Sequence, residues 1–382
     1  MTKKKILIRI GSLRHGGAEK TLTTFLKKLS RDKYDIDLLL NLYSGKYLPE
    51  VPDWINIVYL NRGEMIPTNY ITEIPKKIYR KSYQGFLKIF PRVLYRGKLK
   101  NKKYDIEMAA IQGLRDEILR SPIKTSKKIV WIHNDLSKVR GYDDREIKKF
   151  FGYDKIWVIS STIEELFIKN AGNPADKNKI VRIYNPIDKE DIIKKSREKV
   201  RLEHREKNIP TFLSVGTVFP QKGFDRLLKA HKRLLDEGLK HKVLIIGDGY
   251  DLKNIMNLRN DLRVKYSVEM PGYVENPYPY FRKADFYVQS SRYEGFPTVL
   301  YEAISLRKNI IATEVSGTRE ILKDGKLGLI VPNSEEGIYR GMKKSLLHPE
   351  IFIEIQKNIA QHEETFSLEN SVNFLSQMLD DL

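Results

Sequence analysis

The sequence contains no cysteine. Disulfide frameworks, thiolate metal sites and cysteine nucleophiles are thereby excluded, and the chain suits a reducing compartment. Long apolar runs are also missing: none approaches the ~18 residues a membrane-crossing helix needs. The opening MTKKKILIRIGS resembles the basic front of a secretory signal, but Arg9 interrupts its apolar run after four residues. Lys3 to Lys5 therefore read as the flank of a first strand, and the protein is expected to be soluble or peripheral. No internal repeat or low-complexity tract is present, and no His and acidic residues fall at metal-ligand spacing. Acid is scarce in one half only. Residues 1–185 hold 38 Lys and Arg against 20 Asp and Glu, a net +18, whereas the remainder holds 31 against 29, a net +2. Such asymmetry suits one half to an anionic surface: nucleic acid, anionic lipid or a polyanionic substrate.

What is present is an alternation of short apolar runs and helical patterns over 382 residues, enough for two domains with separate cores. The alternation predicts doubly wound α/β domains, with a break near residue 185. The most informative stretch is 284–322. Phe286-Tyr287-Val288 reads as a buried parallel strand, and Ser290 to Phe296 as a turn. A helix follows, which Pro297 can open at its first position and which ends near Leu306 with Leu300, Ala303 and Ile304 inward. Unpaired N–H groups at such a helix start can hold a phosphate. Glu294 lies in the turn and Glu302 about two turns into the helix. They cannot form an adjacent acid/base dyad, but they can grip two ends of an elongated ligand with a charged middle, such as a nucleotide-sugar.

Glu294-Gly295-Phe296-Pro297-x4-Glu302, followed by Gly317-x-x-Glu320, resembles the E-x7-E signature of the large retaining group 1 glycosyltransferase family. Two glutamates at this spacing are weak by themselves; set between a strand and a helix in EGFPTVLYEA, they are specific. The resemblance is near-complete over 184–335 and weaker before it. It implies a GT-B fold, two doubly wound Rossmann-like domains facing across a cleft. Residues 1–185 would form a basic acceptor-binding domain and 186–360 a nucleotide-sugar-binding domain, with 361–382 a helix crossing back to the first. It further implies that Glu294 contacts donor-sugar hydroxyls, that Glu302 binds the ribose, and that backbone around Gly295, Phe296, Pro297 and Thr298 holds the diphosphate.

Earlier stretches fit the same frame. Lys4 to Ile10 reads as a strand, and Gly16-Gly17-Ala18-Glu19 opens a helix; its two glycines let backbone approach a ligand closely. In the family the equivalent stretch faces the cleft. His15 beside it is either a ligand contact or a solvated loop residue. A strand over Lys127–Ile132 leads into His133, where the family has a histidine close to the donor sugar. Ser161-x-x-Glu164 reads as a capping box. Gly216-Thr217-x4-Lys222-Gly223 resembles the family's phosphate stretch, with Lys222 as its lysine, but Thr217 stands where an arginine is usual. Either another cation, Arg292 or Arg319 for example, replaces it, or the diphosphate is held less firmly. Gly272-Tyr273-Val274 matches the place where backbone pairs with the base.

Tyr70 to Lys103 differs in kind. It holds eleven Lys and Arg with only Glu73 opposing them, and Ile78, Phe86, Leu87, Phe90 and Leu94 interleave at helical spacing. Despite Gly85 and Pro91, this reads as a basic amphipathic helix or helix pair. It either lies on anionic lipid or packs on the sheet with a solvated basic face.

The expectation is therefore a retaining transferase moving sugar from a nucleotide-sugar, a UDP-sugar, to a lipid-linked saccharide in bacterial surface polysaccharide, capsule or glycan assembly. It would need no metal or other cofactor and would sit peripherally on the cytoplasmic face of the membrane. Glu294, His133 and Lys222 are its catalytic candidates. Rival readings are a nucleotide-sugar epimerase-hydrolase and a catalytically silent partner subunit. A nucleic-acid-binding protein is a further rival, but no recognisable binding motif supports it.

Overall fold

Short aliphatic runs, too brief for helices and buried on both faces, dictate parallel sheets covered by helices. In the computed structural model, which describes residues 2–14, 16–63, 74–200, 209–361 and 367–382, two such sheets form. The chain divides into one unit of residues 1–159, 163–186 and 368–382 and another of residues 160–162 and 187–367.

The first unit runs β1 (Lys4–Ile10), α1 (Gly17–Lys28), β2 (Tyr34–Tyr43), β3 (Asn56–Arg62), α2 (Ile74–Ile89), α3 (Pro91–Gly97), β4 (Ile106–Ala109), α4 (Arg115–Leu119), β5 (Lys127–Ile132), α5 (Asp144–Lys148), β6 (Lys155–Val158), α6 (Ser161–Asn170), α7 (Pro174–Lys177) and β7 (Ile180–Arg182). Its seven strands are parallel in the order β3-β2-β1-β4-β5-β6-β7. On one face Phe25 of α1 meets Trp131 and Trp157 edge-on, and the two indoles stack at 3.8 Å. On the other, Leu87, Leu94 and Tyr95 of α2 and α3 bury Leu7, Leu39 and Leu60. Below them lies a buried polar knot. Glu107, fully enclosed, accepts from Tyr95, Lys128, Ser126 and, at 2.9 Å, Ser121.

The second unit runs α8 (Lys189–Lys195), β8 (Thr211–Val215), α9 (Phe224–Asp236), β9 (Lys242–Ile246), α10 (Leu252–Asp261), β10 (Val268–Gly272), α11 (Tyr278–Lys283), β11 (Phe286–Gln289), α12 (Thr298–Ser305), β12 (Asn309–Thr313), α13 (Thr318–Ile321), β13 (Leu329–Val331), α14 (Glu335–Leu347) and α15 (Ile351–Gln361). Its six strands are parallel in the order β10-β9-β8-β11-β12-β13. The last helix, α16 (Leu368–Asp380), belongs to the first unit. There Lys4 Nζ donates to Leu379 O at 2.8 Å and the Tyr34 hydroxyl to Asp380 Oδ1 at 2.7 Å.

Two local expectations need correction. The capping box at Ser161 does not form: Ser161, the first residue of α6, groups with the second unit, and both its amide and its hydroxyl donate there to Glu320 at 3.0 Å. Glu164 instead pairs with Arg182 at 2.9 Å; a carboxylate offering two bonds outcompetes the local cap. Pro297 is the residue before α12 rather than its first, with ψ of 81° outside the helical range. The basic stretch is a helix pair. Gly85 lies inside α2, and the break falls at Phe90, ahead of Pro91. Tyr70 to Glu73, and His15, lie outside the described residues.

The second unit also contains a buried histidine relay. His241 Nδ1 lies 2.8 Å from Leu239 O, a group that only accepts, so this nitrogen carries the proton. His241 Nε2 is then left to accept from His231 Nδ1 at 2.7 Å, and His231 Nε2 to accept from the Ser267 hydroxyl at 2.8 Å. Burial, with His241 adding to it, pushes His231 down to about 3, and burial lowers His241 as well. Both rings stay neutral in the fold but take up protons in the unfolded chain near the ordinary value of ~6.5. Stability is therefore full above that pH and falls as pH drops towards the folded values. Denaturant titrations between pH 7 and pH 5 should show a loss of roughly 1 to 3 kcal/mol per pH unit from these two groups. Replacing the pair by His231→Leu with His241→Gln should flatten that slope; an unchanged slope would refute the relay.

Candidate functional site

In an open parallel sheet, ligands bind beyond the carboxyl ends of the strands where the strand order reverses. In the second unit that point lies between β8 and β11, and the loops leaving these two strands are sewn together there. The Arg292 amide donates to Gln221 O at 2.7 Å, Gln221 Nε2 to Tyr293 O at 2.9 Å, and the Ser290 hydroxyl to Lys222 O at 2.7 Å. Gly223 makes the approach possible. Its φ is +66°, and a Cβ there would overlap Ser290 O.

This stitching brings Lys222 Nζ to 2.6 Å from Glu294 Oε1, which also accepts from the Ser291 hydroxyl at 2.7 Å. The lysine stem passes over Gly216, where a Cβ would stand 3.2 Å from Lys222 Cε. Glu302 is buried on α12 and accepts from the Tyr278 hydroxyl at 3.1 Å. Both glutamates act on one buried phenol: burial, then Glu294, then Glu302 raise Tyr287 well above its ordinary value. The site thus holds two separated buried carboxylates and one ammonium, suited to hydroxyls and an anion rather than to a paired proton transfer.

The backbone between the glutamates offers fewer donors than expected. Pro297 has no N–H, and the Thr298 amide donates to Phe296 O at 2.9 Å. Gly295 O accepts from the Ser316 hydroxyl at 3.0 Å. Neither candidate substitute for the cation missing at Thr217 stands idle. Arg292 forms two bonds with Asp225, at 2.8 and 2.7 Å, and a third with Pro220 O at 2.6 Å. Arg319 pairs with Glu314 at 2.7 Å. Val274 lies just past β10, at the same edge of the sheet, where Gly272 turns with φ of +82°.

In the first unit the strand order reverses between β1 and β4. Gly16 caps α1 beyond β1, with φ of −78° and the Glu19 carboxylate filling the space a Cβ would take; around Gly17 there is open space. Burial raises the Glu19 pKa. His133 follows β5, with β4 lying between β5 and β1. Its Nε2 donates to Ala110 O at 2.8 Å, which leaves Nδ1 with a lone pair. Burial beside Trp131, whose ring centroid is 4.2 Å away, pushes His133 down to about 4. At neutral pH it can accept a hydroxyl but carries no charge.

Sequence reasoning missed Ser291, Gln221 and Tyr278. Ser291 had a signal, three residues before Glu294; Tyr278 and Gln221 reach their partners only through the tertiary fold. Among the described residues no group of three His, Asp or Glu is placed to hold a metal ion.

Two parallel Rossmann-like sheets, each with a polar site at its switch point, define a class of two-domain α/β enzymes, and comparison with known proteins identifies it. The family profile "Glycosyl transferases group 1" matches residues 195–363. An uncharacterized glycosyltransferase of Methanocaldococcus jannaschii is 31% identical over 348 residues, 89% of this chain and 84% of that one. N-acetylgalactosamine-N,N'-diacetylbacillosaminyl-diphospho-undecaprenol 4-alpha-N-acetylgalactosaminyltransferase of Campylobacter jejuni is 27% identical over 359 residues, 90% of each chain. Among solved structures, Anabaena HepE in complex with UDP and glucose superposes with a TM-score of 0.75 at 16% identity, covering 99% of this chain and 100% of that one. The chain belongs to the group 1 glycosyltransferases, has their GT-B fold, and is a glycosyltransferase.

Proposed function

We propose that this enzyme transfers a sugar from a UDP-sugar to a polyprenyl-linked saccharide, with retention of configuration, in the assembly of a bacterial surface polysaccharide, capsule or other glycan. The observation that carries the reading is the Lys222–Glu294 contact at the switch point of the second unit, with Glu302 on the following helix. Lys222 neutralises the diphosphate as the bond to the sugar breaks, an electrostatic contribution that grows along the reaction coordinate. Glu294 accepts from donor-sugar hydroxyls and Glu302 from the ribose. Gly216, Gly295 and the neighbouring backbone of Phe296 hold the diphosphate, and Val274 the base. His133 accepts a sugar hydroxyl through Nδ1, and the Gly16-Gly17 turn approaches the ligand by backbone alone. No metal takes part.

Support for the donor comes from the fold shared with HepE, described with UDP. Support for the acceptor comes from the Campylobacter relative, whose name gives a diphospho-undecaprenol substrate. Such an acceptor places the enzyme peripherally on the inner face of the membrane, held by the basic segment 70–103. No helix among the described residues is long and apolar enough to cross one.

The test is direct. UDP and one UDP-sugar should raise the unfolding temperature, as any ligand specific to the folded state does. That UDP-sugar should donate to a polyprenyl-diphosphate saccharide in the presence of a chelator, giving a product with the donor's anomeric configuration. Sugar release without acceptor would instead mark an epimerase-hydrolase. Absence of both binding and transfer would mark a silent partner subunit, the reading that Thr217 favours.

A further inference from the structure

The helix pair α2–α3 carries two apolar faces, and among the described residues only one is covered. Leu87 is the one buried residue of α2, and Leu94 and Tyr95 are those of α3; these three join the core beneath. On the outside stand Ile74, Ile78, Tyr79, Phe86, Ile89, Phe90 and Val93, each between 44% and 67% exposed. At ~100° per residue, Ile74, Ile78, Tyr79, Phe86, Ile89 and Phe90 fall in one arc of about 160°, opposite Leu87. No charged residue lies within that arc. Lys77, Lys81 and Lys88 line one edge of it, and Lys76 and Arg80 flank Leu87 on the far side. From Ile74 to Lys103 the sequence has no acidic residue at all. The exposed Phe86 packs against Phe90 at 5.1 Å, and the exposed Tyr79 against the half-buried Tyr83 at 6.2 Å.

A solvated basic helix needs no such stripe, and exposed contiguous apolar surface marks an interaction site. We infer that α2 and the start of α3 insert the stripe headed by Ile78, Phe86, Ile89 and Phe90 into the acyl boundary of an anionic bilayer, while the lysines at its edge meet the head groups. The occupant follows from charge and shape. A second copy of this chain would bring another strongly cationic face against the first and be repelled; Asp116 and Glu117 face Lys88 alone of the edge lysines among the described contacts. An anionic lipid surface satisfies both the bordering cations and the apolar arc. Charge brings the helix to the surface, and hydrocarbon burial keeps it there. The inference deepens the proposed function and rests on its reading of a lipid-linked acceptor.

The absence of cysteine permits a clean probe. Ile89→Cys on the stripe and Tyr266→Cys on the second unit, which is also exposed, would each be labelled with a polarity-sensitive fluorophore. Each is then mixed with vesicles of phosphatidylcholine and phosphatidylglycerol. The label at 89 should shift to the blue and be quenched by acyl-chain quenchers; the label at 266 should do neither. Binding should weaken but persist from about 0.1 M to about 1 M salt, as the screening length falls from ~10 to ~3 Å. A quadruple variant, Ile78→Ser with Phe86→Ser, Ile89→Ser and Phe90→Ser, should lose vesicle affinity about tenfold or more. It should keep the parent's thermal transition and its transfer to a soluble acceptor. Vesicle-bound protein with the label at 89 still in a polar setting would overturn insertion and leave surface adsorption. Failure to bind any vesicle would also overturn it, and intact transfer to a lipid-linked acceptor would then leave the proposed function standing. An inserted label with no transfer to any acceptor would refute the function and not the insertion.

Discussion

Glu294→Gln and Lys222→Ala should each lower turnover by roughly two orders of magnitude or more, the usual cost of removing a preorganised electrostatic contact, and should leave the fold intact. The two side chains neutralise each other across 2.6 Å in the absence of ligand. On the proposed reading, an incoming diphosphate would take over the ammonium and the sugar hydroxyls the carboxylate. Glu294→Gln preserves size and the contact to Ser291 but removes the charge. Lys222→Ala removes the cation paired with Glu294; of the neighbouring arginines, Arg292 is held by Asp225 and Arg226 donates to Ser290 O. Lys222 keeps partial access to solvent, so the loss of its partner does not strand a fully buried charge. Steady-state transfer beside a thermal melt separates chemistry from folding. A purified Glu294→Gln enzyme working at the parent rate would refute the donor-site assignment.

Lys128→Met has the largest expected effect on stability, about 3–5 kcal/mol, because it leaves Glu107 charged and uncompensated in the interior. Glu107 has no exposed surface, and Lys128 is its only cationic partner among the described contacts, supported by Ile123 O at 2.9 Å. Removing both charges, with Glu107→Gln added, should recover more than half of the loss. Urea denaturation of the single and double variants reads both. A Lys128→Met protein as stable as the parent would refute the assignment of a buried charge pair.

Why some of this was legible and some not follows from how far each signal reaches. Strand positions such as Ile6, Val130 and Val288 announced themselves because a strand buried on both faces is largely apolar. Glu294 and Glu302 were legible because both lie in one strand–turn–helix unit, where spacing along the chain is spacing in the fold. The amphipathic pattern of 74–97 said that a helix would form, but not which apolar row the sheet would cover. Leu87 and Leu94 went inward, and Phe86, next to Leu87, and Phe90, one turn before Leu94, went outward. The Ser161 cap was a sound local inference overridden by Glu320, more than 150 residues away. Tyr278 against Glu302 and Lys128 against Glu107 leave no trace in a one-dimensional pattern, because tertiary structure alone makes them neighbours. Arg292 showed the converse: a cation well placed along the chain was already held by Asp225.

The place of α16 has a bearing on how the protein is made. Synthesis proceeds from the N-terminus, and domains generally fold in that order. Here the unit begun first contains the last helix, whose Leu375 and Leu379 line the same apolar face as Ile6, Phe25 and Trp131. Until residues 368–382 emerge, that face of the first sheet stays open, and Lys4 and Tyr34 lack their partners at Leu379 and Asp380. The second unit, continuous from 187 to 367 apart from three residues made earlier, has its whole sequence available sooner. The unit that leaves the ribosome first is therefore the one completed last, and a nascent chain halted before residue 368 would expose a hydrophobic surface for chaperones to cover.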